Sequence, residues 1–336
     1  EGSNNHYSFV TKYSEDCLVF NVDIIASTFF MLSRWEEMIV TERDEHSRFP
    51  ASASVAYKQG FLDIPIVDQY ALILREWIKK LKPTWQPKKN TFSIRLSHDV
   101  DFINSSLLRK LGGDILKRRN FQMAFQRIKR GFSSKTDPYI SGIITLGEYS
   151  NKYNLKSTFN LMTADKSDMD NGYFRNNQKF KEIVQLIQKQ GHDIGFHSGY
   201  YTYDDHEKFM LEKSRMDDVL GHSNYGGRQH YLRFQVPDTW MLWEKAGLEY
   251  DSTLGYPDHE GFRCGTCHPF HPFDIKKNRI LDILEIPLII MDGTLAQYRG
   301  LTPEQGVDVI LKLAKRCCEV EGNFTLLWHN NRIYWE

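Results

Sequence analysis

Ser97-His98-Asp99-Val100-Asp101 sets two carboxylates two residues apart, while Gly191-His192-Asp193-Ile194-Gly195-Phe196-His197-Ser198 and Leu326-Leu327-Trp328-His329-Asn330 carry apolar runs that end on imidazoles. Residues two apart on a strand share a face, so Asp99 and Asp101 project together and His98 points the other way. Such a pair can divide labour, one carboxylate binding a divalent cation and the other acting as a general base tuned by that cation. His197 offers an imidazole ligand at a neighbouring strand end. His329, after the last strand, is placed to protonate a leaving group across the pocket from Asp99. The chemistry this composes is metal-centred hydrolysis. Taken singly, each residue has a plainer reading, as a polar strand end paired with arginine or a structural histidine; their common position at strand ends favours the site.

The elements that must hold these residues are strands separated by helices. Apolar runs predict strands over 92–97, 156–162, 193–197, 231–234, 283–286 and 324–328, with helical patterns between them, which is the order of β/α units around a mostly parallel sheet. The last helix is the clearest, with Thr302 as cap, Pro303 at its first position and a stripe of Val307, Ile310, Leu311, Ala314 and Cys318. Cys317 and Cys318 read as inert core or near-core thiols. Ahead of the strands, an apolar stretch from Cys17 to Leu32, a polar loop around 42–48 and a helical pattern over 68–81 form a small α/β unit. The two prolines of Lys82-Pro83-Thr84-Trp85-Gln86-Pro87-Lys88 mark a boundary, giving an N-terminal domain over 1–88 and a second domain over 89–336.

The 336 residues are 41% hydrophobic and 13% aromatic, enough for a large core. Lysine plus arginine and aspartate plus glutamate each total 43, so no overall field draws nucleic acid, and none is expected as a partner. Five cysteines without framework spacing point to free thiols and a cytoplasmic rather than exported protein, although the first residue is Glu1 and a leader is not judged from it. No apolar run reaches the roughly 20 residues of a membrane span. Charge is asymmetric in one place, the insertion over 105–130, where Arg109, Lys110, Lys117, Arg118, Arg119, Arg127, Lys129 and Arg130 stand against a single acid, Asp114. A solvated amphipathic helix pair is the favoured reading there, with a peripheral contact to an anionic glycan or membrane surface as the other.

On these motifs the chain resembles the polysaccharide deacetylase family, also called NodB-homology proteins or carbohydrate esterase family 4. Ser97 to Asp101 is similar to the family's first motif in its DVD-type variant, Gly191 to Ser198 to the second, Tyr231-Leu232-Arg233-Phe234 with Pro237 to the third, and Leu326 to His329 to the last. The resemblance implies a distorted (β/α) barrel, a divalent metal, zinc by type, and removal of acetyl groups from an N- or O-acetylated carbohydrate. It makes Asp99 the base, Asp101 and His197 metal ligands, Arg233 the group that orients the base and His329 the general acid. Residues 1–88 resemble a domain found ahead of such catalytic domains in bacterial proteins. The family's second motif carries another histidine four residues after His197, and here that position is Tyr201. The third ligand is therefore open among Tyr201, His230, His206 and water, with His230 disfavoured if it and Arg233 share one regular strand.

Arg263 and Asp251 are further candidates for substrate contact. Trp240, Trp243 and Trp328 offer rings for sugar stacking, with core packing the favoured reading. Cys264-Gly265-Thr266-Cys267-His268, with His271 nearby, fits a haem-attachment or zinc pattern, but haem needs an export pathway and zinc fingers a second cysteine pair. Two rival functions stand beside deacetylation: a catalytically silent glycan-binding or polysaccharide-biosynthesis protein, and hydrolysis of a small non-peptide amide.

Overall fold

The computed structural model describes residues 9–103 and 137–333, so the basic insertion over 105–130 lies outside the described residues. The strands in chain order are β1 (Val10–Ser14), β2 (Cys17–Phe20), β3 (Ser93–Val100), β4 (Ser157–Leu161), β5 (Asp193–Ser198), β6 (Gly227–Gln229), β7 (Tyr250–Asp251), β8 (Phe273–Asp274), β9 (Arg279–Ile280), β10 (Leu284–Glu285), β11 (Ile290–Met291) and β12 (Asn323–Leu327). Eight of them follow the sheet order β10-β7-β6-β5-β4-β3-β12-β11, and β3 to β6 pair in parallel with helices between them. The class is α/β, the β/α arrangement expected of a distorted barrel. No helix among the described residues is long and apolar enough to cross a membrane.

By internal contacts the chain divides into two units, Glu1–Ile94 with Leu232–Thr325, and Arg95–Tyr231 with Leu326–Glu336. In the second unit, β4 is buried at all five positions and β3 at its last four, as strands covered on both faces must be. The crossover helices start where the chemistry allows. Asp137 caps Pro138–Lys152, which has proline in its first turn, and Asn176 caps Asn177–Lys189. The latter helix buries Phe180, Ile183, Val184 and Ile187, one stripe at helical spacing. Asp205 caps His206–Leu220, and Gly221, with φ of 73°, ends it in the left-handed conformation that glycine adopts without strain.

One expected strand is corrected. The segment 231–234 is no strand: β6 ends at Gln229, and a single turn over His230–Leu232 carries Tyr231 and Leu232 at φ of 61° and 55°. Alternation does not pass through such a turn, so it says nothing about which way His230 faces.

In the first unit, the stretch from Cys17 splits into β2 and a helix, Ile24–Leu32, at the capping aspartate Asp23. Thr302 and Gln305 form a capping box at the start of Pro303–Glu319, with Pro303 in the first turn. The stripe expected on that helix is corrected: Gly306, Leu313 and Cys317 are buried, while Val307, Leu311 and Cys318 are exposed. Hydrophobicity alone picks the wrong side of the helix. Trp240 and Trp243 are fully buried, so they pack the core.

This unit also buries charge. Glu37 receives both Arg263 Nε and Nη2, at 2.9 and 2.6 Å, and Arg34 Nε at 2.8 Å, while Arg34 Nη2 donates to Glu36 at 2.8 Å. Burial alone would raise the Glu37 pKa, but the two guanidiniums outweigh it and lower it from 4.5 to about 2. A depressed carboxylate adds stability that is complete above its ordinary value and is lost as pH falls through the folded one. We expect urea unfolding free energy to drop between pH 5 and pH 2, with up to about 3 kcal/mol of the drop removed in Glu37→Gln. Equal acid sensitivity in the variant would sink the assignment.

Candidate active site

The strand register builds one face of the second unit. Asp99 pairs with Asn160, Asn160 with Gly195, and His197 with Arg228 across β3, β4, β5 and β6. Gly195 has a steric reason to be glycine, since a Cβ there would lie 2.0 Å from Asn160 Oδ1. The freed space lets Asn160 Nδ2 donate to Asp99 Oδ1 at 2.7 Å, and Arg228 Nη1 donates to the same oxygen at 3.0 Å. His98 points away, as alternation requires, to the Trp328 carbonyl at 2.9 Å and the Ser157 hydroxyl at 3.2 Å.

Beyond the end of β3, Asp101 Oδ1 lies 3.4 Å from His197 Nε2 and 3.6 Å from His230 Nε2. The ligand atoms of these three residues all lie within 4.8 Å of one another. Both imidazoles are oriented from behind. His197 Nδ1 bonds the Arg228 carbonyl at 2.9 Å, and His230 Nδ1 bonds Asp170 Oδ1 at 2.8 Å. With a proton on each Nδ1, each Nε2 presents a lone pair, the arrangement typical of metal-binding histidines. Asp170 is itself fixed by the Tyr200 N–H and the Ser167 hydroxyl.

These residues fit a divalent cation on two observations. Asp101 Oδ1 and His197 Nε2 are shut off from solvent without a hydrogen-bond partner, which is costly for both atoms. Ligand atoms bonded at about 2.0–2.1 Å in a tetrahedron lie about 3.3–3.4 Å apart, close to the spacing found.

Charge agrees with this geometry. Burial would raise the pKa of Asp99, but Arg228, His197, His329 and Asn160 together lower it. Burial would likewise raise Asp101, and its contacts with His197, His230 and His329 hold it well below the carboxylate range. Burial would lower His197, and the Asp99 and Asp101 carboxylates raise it instead. Both carboxylates are thus anionic at neutral pH. His329 Nε2 lies 3.9 Å from Asp101 Oδ2, and the two side chains keep 17% and 20% exposure, so the site is reached from their side.

The remaining expected residues go elsewhere. Tyr201 is exposed and donates its hydroxyl to Asp168 at 2.8 Å, and His206 is exposed at the start of its helix. Arg233 Nε donates to the His46 carbonyl at 2.8 Å; the guanidinium on Asp99 is that of Arg228. Arg263 is buried on Glu37, and Asp251 is fully buried, accepting the Thr253 hydroxyl at 2.5 Å. Arg228, Asn160 and Asp170 escaped the sequence reading. Asn160 had a faint signal as an amide between Phe159 and Leu161 on a buried strand, and the other two had none.

A family model described as a family of unknown function, DUF7033, matches residues 3–83. No curated protein matches the sequence. Among solved structures, the chain is similar to a Mycobacterium smegmatis protein assigned as a polysaccharide deacetylase, at 17% identity and a TM-score of 0.47 over 74% of this chain and 80% of that one. It is also similar to a peptidoglycan deacetylase of Bdellovibrio bacteriovorus, at 12% identity and a TM-score of 0.35 over 91% of this chain and 77% of that one.

Removing a ligand and removing its support should differ in degree. In calorimetric titration of the chelator-treated protein with zinc, in the Cys267→Ser background, we expect His230→Gln to abolish tight binding, Asp170→Asn to weaken it about 10–100-fold, and Tyr201→Phe to leave it unchanged. The reverse order for His230 and Tyr201 would discard this ligand set.

Proposed function

We propose that this protein is a metal-dependent hydrolase that removes acetyl groups from an N- or O-acetylated carbohydrate. The convergence of Asp101, His197 and His230 on one point, beside a separately held Asp99, is the observation that carries the reading. The similarity of the four motifs to those of polysaccharide deacetylases supports the acetyl substrate. In this reading Asp101, His197 and His230 hold the cation, zinc by its preference for a tetrahedral mix of nitrogen and oxygen donors. A cation held there supplies Lewis acidity toward a water and an acyl oxygen.

Asp99 takes the proton from the attacking water. Its Oδ1 is committed to Asn160 and Arg228, and its Oδ2 lies 3.9 Å from His197 Nε2, on the side of the ligand atoms. Arg228 keeps the base ionised and fixes its plane, the role expected of Arg233. His329, on the open side, donates a proton to the departing amine or alcohol. Residues 1–88 act as an accessory domain, supported by the separate family match over 3–83.

The test is acetate release from acetylated chitin and xylan oligosaccharides. Asp99→Asn is expected to lower the rate about 10²–10⁴-fold while bound zinc per chain stays the same. Undiminished release in that variant removes Asp99 as the base, and no release by the wild-type protein loaded with zinc overturns the deacetylase reading.

A further inference from the structure

The Cys264-Gly265-Thr266-Cys267-His268 run has no part in the site above, and the structure separates its two cysteines. Cys264 is buried next to the Arg34 and Arg263 guanidiniums, whereas Cys267 turns to Asp68 of the helix Ile66–Leu81 and to Cys317 of the helix Pro303–Glu319. All these residues belong to the first unit.

Asp68, Cys267 and His268 each offer one ligand atom, and the three atoms lie within 4.8 Å of one another. Cys267 Sγ donates to Asp68 Oδ2 at 3.4 Å. A tetrahedral zinc ion with bonds of about 2.3 Å to sulfur and 2.0 Å to oxygen holds those two atoms about 3.5 Å apart. The thiol proton therefore bridges a pair already spaced as two ligands. Asp68 is oriented by the Thr266 hydroxyl at 2.5 Å and the Cys267 N–H at 2.9 Å. His268 Nε2 bonds the Val320 carbonyl at 3.0 Å, which fixes the ring beside Cys267. Gly322 passes directly over the sulfur, where a Cβ would lie 2.2 Å from Cys267 Sγ and 3.2 Å from His268 Nε2. Asp68, Thr266 and His268 also line a cavity of about 850 Å³ with Arg75 and Glu321, which gives an ion a way in.

We infer that Asp68, Cys267 and His268 form a second divalent-metal site, of mixed sulfur, nitrogen and oxygen type suited to zinc, with its fourth position toward the cavity. Binding replaces the Cys267 thiol proton, which leaves to solvent, so affinity rises with pH and no oxidant or reductant takes part. The site is independent of the deacetylase reading, because Asp101, His197 and His230 contain no sulfur.

That difference gives the test. The full chain, with exposed Cys17 and Cys318 replaced by serine, is stripped with chelator and titrated with cobalt(II). Expected is a sulfur-to-cobalt charge-transfer band in the near ultraviolet that saturates by two equivalents in the parent and at one equivalent in Asp101→Ala. It should vanish in Cys267→Ser, weaken about tenfold or more in affinity in His268→Gln, and persist in Asp101→Ala. No such band in the parent protein, or a band that survives Cys267→Ser, overturns the proposal. If Cys267→Ser does not fold, His268→Gln decides, because unchanged cobalt affinity in that folded variant overturns it equally.

Discussion

The burial of two carboxylates in one pocket is the constraint that organises the second unit. Asp99 and Asp101 both stay anionic although little water reaches Asp99, and removing an ion from water costs several kcal/mol unless it is paired and hydrogen-bonded. The two are satisfied differently. Asp99 receives a guanidinium and an amide on one oxygen, so its charge is balanced by the protein itself. Asp101 has imidazole nitrogens near it, but its Oδ1 has no proton donor. One carboxylate is hydrogen-bonded within the protein and the other is not, and the proposed division into base and ligand rests on this difference.

Backbone pairing makes the difference available. Parallel register puts Asp99, Asn160 and Gly195 side by side, and the missing side chain at Gly195 is what allows the Asn160 amide to reach across. One strand further, the Arg228 carbonyl orients His197 while the Arg228 guanidinium reaches Asp99, so a single residue ties these two side chains together. The turn after β6 then swings His230 to Asp101 with Asp170 behind it. Directly after that histidine, Tyr231 and Leu232 adopt positive φ, so the strand does not continue past His230.

The first unit shows buried charge in another use. Arg34, Glu36, Glu37 and Arg263 satisfy one another, and such closed networks serve architecture. At Asp251 and Glu285, neighbours in register on β7 and β10, burial and the adjacent carboxylate push Glu285 far above its ordinary value, so a proton rather than a cation balances the pair. At Asp68 and Cys267 a thiol proton does the same work, and there a metal can take its place.

The α/β class and most strands were legible because strand segments alternate along the chain with helices that carry caps, as at Thr302. The clustering of Asp99, Asp101, His197 and His329 at strand ends was legible for the same reason, since strand periodicity dictates which side chains share a face. What escaped were residues whose positions depend on leaving regular structure or on reaching across strands. His230 was disfavoured by alternation that the turn at Tyr231 breaks, Arg228 was hidden behind the motif match of Arg233, and the helix Pro303–Glu319 buries Gly306, Leu313 and Cys317 rather than its more apolar stripe. The sequence by itself determined the periodic elements and the chemistry at their ends, because periodicity is local. Tertiary structure alone decided which polar atoms find partners and which are left facing one another, because that pairing joins residues far apart in the chain.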